Sequence, residues 1–416
     1  MKINVFGNTI GAMVCAGCLA ETGNNVTLIG QRNADEAEPG LTKLLDNQTE
    51  SGRLTISESF DHDAEMHIMA LGPDDCGEGK LIAGQLDLYA DKNSTLIIRS
   101  NFSIGIVDQI TKIVPFEYAI NPDFASDGHQ IQSFTRPDRI IIGTHSDKIK
   151  QQLRILYTPF NRNKDVIIEM SPASAELTKY ATNAMLATRI SLMNELASIS
   201  EKTGADIDEV RIGLGADKRI GRSYLYSGIG FGGFNFTRDL ERIQKLLPTS
   251  TENGGQSLLQ SVIEINNNQK ELFFRKLWQH FNCELTGKTI SLWGLGYKPN
   301  TTAVEGAASI ALINAFAHQG CKLKLYDPFA IEETKKWVER HLTNSEQQNI
   351  SYHEEMYEAT ENSDALCVLT EYKAFWAPNF DTLKSNMSSP IILDGRNLFN
   401  KYWVEENGFK YFGVGR

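Results

Sequence analysis

Hydrophobic and polar positions change period along this chain. Short apolar runs of the kind that form buried strands come first, at Ile3–Phe6, Val26–Ile29, Met66–Leu71, Thr95–Ile98 and Arg139–Ile142. Between the first two, Ile10–Thr22 carries apolar residues at near-helical spacing and predicts an amphipathic helix. Strands alternating with helices predict a parallel, doubly wound sheet. A helical middle follows. Ser171–Thr203 has a long periodic pattern that opens on Ser171-Pro172-Ala173-Ser174, capping residues with an early proline, and ends at Gly204. Asp206–Ile212 predicts a short helix and Gly255–Phe281 a second long one, with Leu258, Leu259, Val262, Ile263 and Ile265 on its apolar positions. From Lys288 the strand signal returns at Thr289–Trp293, Lys322–Tyr326, Ala365–Leu369 and Ile391–Leu393. The expected fold class is therefore α/β, with two doubly wound parallel-sheet domains, 1–165 and 284–416, joined by a long-helix central domain, 166–283.

Composition narrows the function. The chain has 416 residues and a formal net charge of −11, which argues against nucleic acid or an anionic membrane as partner. No apolar run approaches the ~20 residues of a membrane span. The start, Met1-Lys2-Ile3-Asn4-Val5-Phe6, reads as a first strand and not as a signal peptide, so a cytoplasmic location is expected. Of six cysteines, Cys15, Cys18, Cys283, Cys321 and Cys367 fall in apolar patterns and are expected in the core. The spacing Cys15-x-x-Cys18 lies mid-helix with no second Cys/His pair nearby, so packing is preferred over metal or redox chemistry, and no metal is expected. Cys76 lies between Asp74-Asp75 and Gly77-Glu78, an acidic setting that blunts a thiol.

A series of motifs runs through nearly the whole chain in order. They are Glu38-Pro39-Gly40-Leu41, Asn121-Pro122-Asp123-Phe124, Pro137-Asp138-Arg139-Ile140-Ile141-Ile142-Gly143, and Ala175-Glu176-Leu177-Thr178-Lys179-Tyr180-Ala181-Thr182-Asn183. Then come Asn194-Glu195, Lys202-Thr203-Gly204-Ala205-Asp206, Arg219-Ile220-Gly221, the loop Gly230-Phe231-Gly232-Gly233-Phe234-Asn235-Phe236-Thr237-Arg238-Asp239, Lys298-Pro299-Asn300-Thr301, Tyr326-Asp327-Pro328 and Asp394-Gly395-Arg396-Asn397. The series resembles the UDP-glucose/GDP-mannose dehydrogenase family. The resemblance implies two Rossmann-like domains around a central dimerisation domain, and oxidation of a nucleotide-sugar CH2OH to a carboxylate with two NAD. In that chemistry a cysteine thiolate adds to the aldehyde and makes the second hydride departure feasible. The loop that should carry it, Gly-Gly-Ser-Cys-Phe-Pro-Lys-Asp in the family, here has Asn235 at the cysteine. A carboxamide is a negligible nucleophile, so four-electron oxidation by the family mechanism is expected to fail.

The cofactor side also departs from the pattern. The glycine positions of the G-x-G-x-x-G fingerprint hold Gly7, Thr9 and Ala12, and Thr9 puts a side chain where the pyrophosphate should touch the backbone. The acid expected after the second strand is Gly30. Arg32 nearby suits an NADP 2′-phosphate or is a solvated loop charge. Asn101 replaces a threonine, Thr237 and Arg238 replace Pro and Lys, and after Lys298-Pro299-Asn300-Thr301 the two aspartates and the Arg-Glu become Thr302, Ala303, Glu305 and Gly306.

The substrate side is closer. The resemblance assigns oxyanion stabilisation to Lys179 and Asn183, water positioning to Asp239, and proton relay to Asp123 and Asp127, each a methylene shorter than the family glutamate. It places Phe124, Arg219, Tyr224, Gly232, Lys298 and Arg396 on the nucleotide sugar, with Arg219 reaching across a dimer. Asp239 has the alternative of capping a helix that starts at Leu240.

Three readings follow. The first is a nucleotide-sugar-binding homologue, UDP-sugar favoured, without the four-electron oxidation, acting as a homodimer or with an active paralogue. The second is an NAD- or NADP-dependent oxidoreductase doing two-electron chemistry. The third is a purely structural or assembly subunit.

Overall fold

The computed structural model describes residues 1–32, 38–125, 128–162, 164–247 and 257–416. It forms two compact units, Met1–Thr182 and Asn183–Arg416, and the boundary falls within one helix, Pro172–Thr203.

The first unit holds a sheet of eight strands. They are β1 (Lys2–Phe6), β2 (Asn25–Ile29), β3 (Leu54–Ser57), β4 (Met66–Met69), β5 (Thr95–Ile98), β6 (Glu117–Ile120), β7 (Ile140–Gly143) and β8 (Ile167–Met170), in the order β3-β2-β1-β4-β5-β6-β7-β8. All pairs are parallel except β6 with β7, which touch antiparallel through Ile120 and Gly143. The central strands β4, β5 and β7 are buried along their whole length, which is why they read as continuous apolar runs.

The helix expected at Ile10–Thr22 runs Ile10–Glu21, but it is not amphipathic. Ala12 through Ala20 are all buried, because the helix is covered by the sheet and by the helices Leu41–Glu50 and Gln130–Thr135. Small residues permit this: a Cβ on Gly17 would lie 2.9 Å from Leu44 Cδ2. Burial pushes the Cys15 thiol up to about 11 and the Cys18 thiol to about 12, so both are inert packing residues.

The second unit holds six parallel strands: β9 (Thr289–Trp293), β10 (Lys322–Tyr326), β11 (Ile350–His353), β12 (Ala365–Val368), β13 (Ile391–Asp394) and β14 (Lys410–Phe412), ordered β11-β10-β9-β12-β13-β14. Both sheets therefore reverse direction beside their first strand, the place where open α/β sheets bind ligands. The short helix is Ile207–Ala216, with Asp206 as its N-cap through Asp208 N at 2.7 Å. The long helix expected at Gly255–Phe281 is two, Leu258–Lys270 and Leu272–His280, broken at Glu271; Gly255 itself lies outside the described residues. Cys283 is exposed and not in the core. It follows the second of these helices in a turn where Asn282 and Cys283 take φ of 52° and 64°.

Candidate functional site

In the first unit the turn after β1 sits at the sheet's switch point. Gly7 is required there, since a Cβ would meet Ala70 O at 2.5 Å. Thr9 is the N-cap of Ile10–Glu21. Its Oγ1 accepts from Ala12 N and donates to Ala70 O, each at 3.0 Å. A free amide at a helix start is the usual partner of a phosphate; here the chain's own hydroxyl takes it. Gly30 passes so close to this turn that a Cβ would lie 2.4 Å from Asn8 Oδ1, so no acidic side chain fits. Arg32 is occupied as well, paired with Asp46 at 2.6 Å and donating to Thr42 O at 3.3 Å. Asn101 lies half-buried after β5.

Asp123 is not a free base. Its Oδ1 accepts from Arg99 Nη2 at 2.9 Å and from Ala125 N at 2.9 Å. Arg99 is buried, bonded also to Asn121 at 3.1 Å and stacked over the Phe134 ring at 5.0 Å. Asp123 Oδ2 lies 3.2 Å from the Cβ position of Gly11, over the first turn of Ile10–Glu21. Asp127 lies outside the described residues. Phe124 has the Arg139 guanidinium over its ring at 4.2 Å and the Lys179 ammonium at 5.1 Å. Glu38 holds Gln130 N and Ile131 N at 2.9 and 3.0 Å, an anchoring role for which a carboxylate beside a helix start is suited.

In the second unit the glycine loop leads into the helix Phe234–Gln244. Asp239 is therefore inside a helix and caps nothing. It is 1% exposed, and its Oδ2 accepts from Asn183 Nδ2 at 2.7 Å. Asn235 stands in the first turn, where its Oδ1 accepts from Arg238 Nη2 at 2.8 Å. The structure thus brings Asn183, Asn235, Arg238 and Asp239 together.

The loop is held by three buried amides. Asn194 Oδ1 accepts from Gly228 N at 2.9 Å, Gln269 Nε2 donates to Gly228 O at 2.7 Å, and Asn266 bonds both ways to the Phe231 backbone at 2.7 and 3.0 Å. Asn266 and Gln269 are positioning residues that motif reading missed. Their signal was polar residues on the buried side of an otherwise apolar helix. Gly232 has no room for a side chain, because a Cβ would lie 2.8 Å from Tyr297 Cβ.

Arg396 is anchored rather than free, donating to Leu369 O at 2.8 Å and Tyr297 O at 3.3 Å and pairing with Glu371 at 3.1 Å. Lys298 lies over the Tyr297 ring at 5.4 Å. Tyr224 has φ 59°, and its ring is 6.4 Å from Phe236. Arg219 is outside this cluster, 88% exposed and paired with Asp217 at 2.6 Å. Among the described residues there is no cluster of three or more His, Cys, Asp or Glu able to hold a metal, and no helix long and apolar enough to cross a membrane.

Two parallel sheets with matching strand order, each with a glycine turn at its switch point, define a two-Rossmann protein of the nucleotide-binding class. The chain belongs to the UDP-glucose/GDP-mannose dehydrogenase family. Residues 1–161 match the family's NAD binding domain, 173–268 its central domain and 291–401 its UDP binding domain. A UDP-glucose 6-dehydrogenase from Pseudomonas aeruginosa is 34% identical over 449 residues, covering 100% of this chain and 98% of the relative. One from Bacillus subtilis is 32% identical over 444 residues, with coverage of 100% and 98%. Among solved structures, a UDP-glucose dehydrogenase from Pyrobaculum islandicum superposes with TM-score 0.85 at 23% identity, covering 100% of this chain and 97% of that one.

Proposed function

We propose that this chain binds a nucleotide sugar, a UDP-sugar by preference, and does not carry out the four-electron oxidation. The observation that carries the reading is Asn235, standing at the cysteine of the family loop with its oxygen tied to Arg238. No thiolate is available there to add to an aldehyde. The cofactor side supports the same reading. Thr9 consumes the helix-start amide, Gly30 excludes the ribose-binding acid, and the Asp123 carboxylate faces the turn where a pyrophosphate would approach. These residues do not fit a tightly held dinucleotide. We keep the division into 1–165, 166–283 and 284–416 as the functional one.

We also propose a dimer through the long helix, on which Met185, Leu192 and Ile199 recur every seventh residue and are exposed by 62, 52 and 54%. A coiled-coil-like repeat left in water is a face for another helix.

A second reading has an observation of its own. The buried Asn183–Asp239 pair and Lys179 are intact, and two-electron oxidation of an alcohol needs a base but no thiolate. The test is calorimetry with UDP-sugars alongside reduced-nicotinamide absorbance with NAD and NADP. Binding without reduction supports the first reading, one reduced nicotinamide per sugar supports the second, and two per sugar rejects both.

A further inference from the structure

Lys270 ends the helix Leu258–Lys270 and is 8% exposed, yet no acceptor or carboxylate pairs with it among the described residues. Burial pushes its ammonium down to about 8, so it is still mostly charged at neutral pH. A buried, unpaired ammonium is a standing cost to the fold, and its position suggests what offsets that cost. The side-chain stem lies along the glycine loop, with Cγ 3.2 Å from the Cβ position of Gly230. The head points into a small open space. A Cβ on Gly306 would enter that space, and its nearest neighbours would be Gly233 N at 3.7 Å and the Lys270 ammonium at 3.8 Å. Gly233 is the N-cap of Phe234–Gln244, and no side chain caps that helix. The family pattern has a glutamate where this chain has Gly306, so a carboxylate has been removed from beside the ammonium. At the same helix start Asn235 turns its oxygen toward Arg238, leaving its NH2 as a donor.

We propose that Lys270 and the uncapped start of Phe234–Gln244 form a site for an oxyanion carried by the nucleotide sugar, either a diphosphate oxygen or a sugar carboxylate. The proposal rests on the nucleotide-sugar reading for the identity of the ligand, but not for the existence of the site. An ammonium and the positive end of a helix converge on one space, and such groups bind oxyanions through charge-assisted hydrogen bonds.

The experiment is calorimetry of the full chain, wild type and K270M, with UDP, UDP-glucose, UDP-glucuronate and inorganic pyrophosphate. Methionine keeps the stem and removes the buried charge, so K270M should melt at or above the wild-type temperature. K270Q is a second neutral variant should methionine disturb the packing. Loss of a charge-assisted contact predicts weakening by about tenfold or more. Weakening for UDP and both sugars assigns the diphosphate. Weakening for UDP-glucuronate alone assigns the carboxylate. Neutral variants that bind all ligands as wild type does overturn the proposal. A wild type that binds pyrophosphate through Lys270 but none of the sugar nucleotides keeps the site and rejects the nucleotide-sugar reading. A wild type that binds none of the four rejects both.

Discussion

Arg238 donates from Nη2 to the side-chain oxygen of Asn235 at 2.8 Å, one turn further along the same helix. The contact settles which way the carboxamide faces and gives position 235 a structural partner that a thiol would not need. Reactive chemistry at this helix start has been exchanged for a fixed polar contact, while the neighbouring Asn183–Asp239 bond, at 2.7 Å, remains.

Thr9 is the first place to test the account of the cofactor side. Its hydroxyl holds Ala12 N at 3.0 Å. Thr9→Ala should cost about 1 kcal/mol through the lost cap, and Thr9→Gly only a few tenths. Only Thr9→Gly clears the side chain from the turn. Urea unfolding and calorimetry with NAD should therefore show higher NAD affinity for the glycine variant alone. Equal affinities in all three proteins would mean that Thr9 does not obstruct the site.

Asp239 and Asn183 should behave as a coupled pair. Asp239→Ala strands the Asn183 amide in a buried setting and should cost about 1–3 kcal/mol. In the double-mutant cycle with Asn183→Ala, the coupling should be about 0.5–3 kcal/mol. Additive single effects would show that the hydrogen bond contributes nothing.

Glu176 gives a pH signature. Burial, reinforced by Asp108, raises its carboxyl from 4.5 to about 7, and its Oε1 has no partner among the described residues. The folded state binds the proton more tightly than the unfolded chain, so this stabilisation is complete below about pH 4.5 and is lost as pH rises through 7. Glu176→Gln should flatten stability between pH 4.5 and 7 and be the more stable protein at pH 8. A variant that keeps the wild-type slope would remove Glu176 as the cause.

The two sheets were legible because buried parallel strands such as Met66–Met69 and Thr95–Ile98 are unbroken apolar runs. β3 and β11 are less fully buried and β14 has only three residues, so they left weak patterns. The break at Glu271 was hidden because apolar spacing continues from Val262 through Phe273 and Leu277 across it. At the site, a motif shows which residue type stands where, so Asn235 and Thr9 could be read directly. It does not show what a side chain has found to bond with. That Arg99 engages Asp123, and that Glu371 engages Arg396, follows from strand ends brought together by folding. The same limit hid Asn266 and Gln269, which act on the loop across 35 and 41 residues of chain.

The most direct test of the central claim is to incubate the wild-type protein with UDP-glucose, and separately with UDP-N-acetylhexosamines, in excess NAD or NADP, following both binding heat and reduced nicotinamide. The account predicts measurable binding of at least one sugar nucleotide and no reduced nicotinamide above the enzyme-free control. Two reduced nicotinamides formed per sugar consumed would contradict it, because four-electron oxidation would then proceed with Asn235 at the position of the nucleophile.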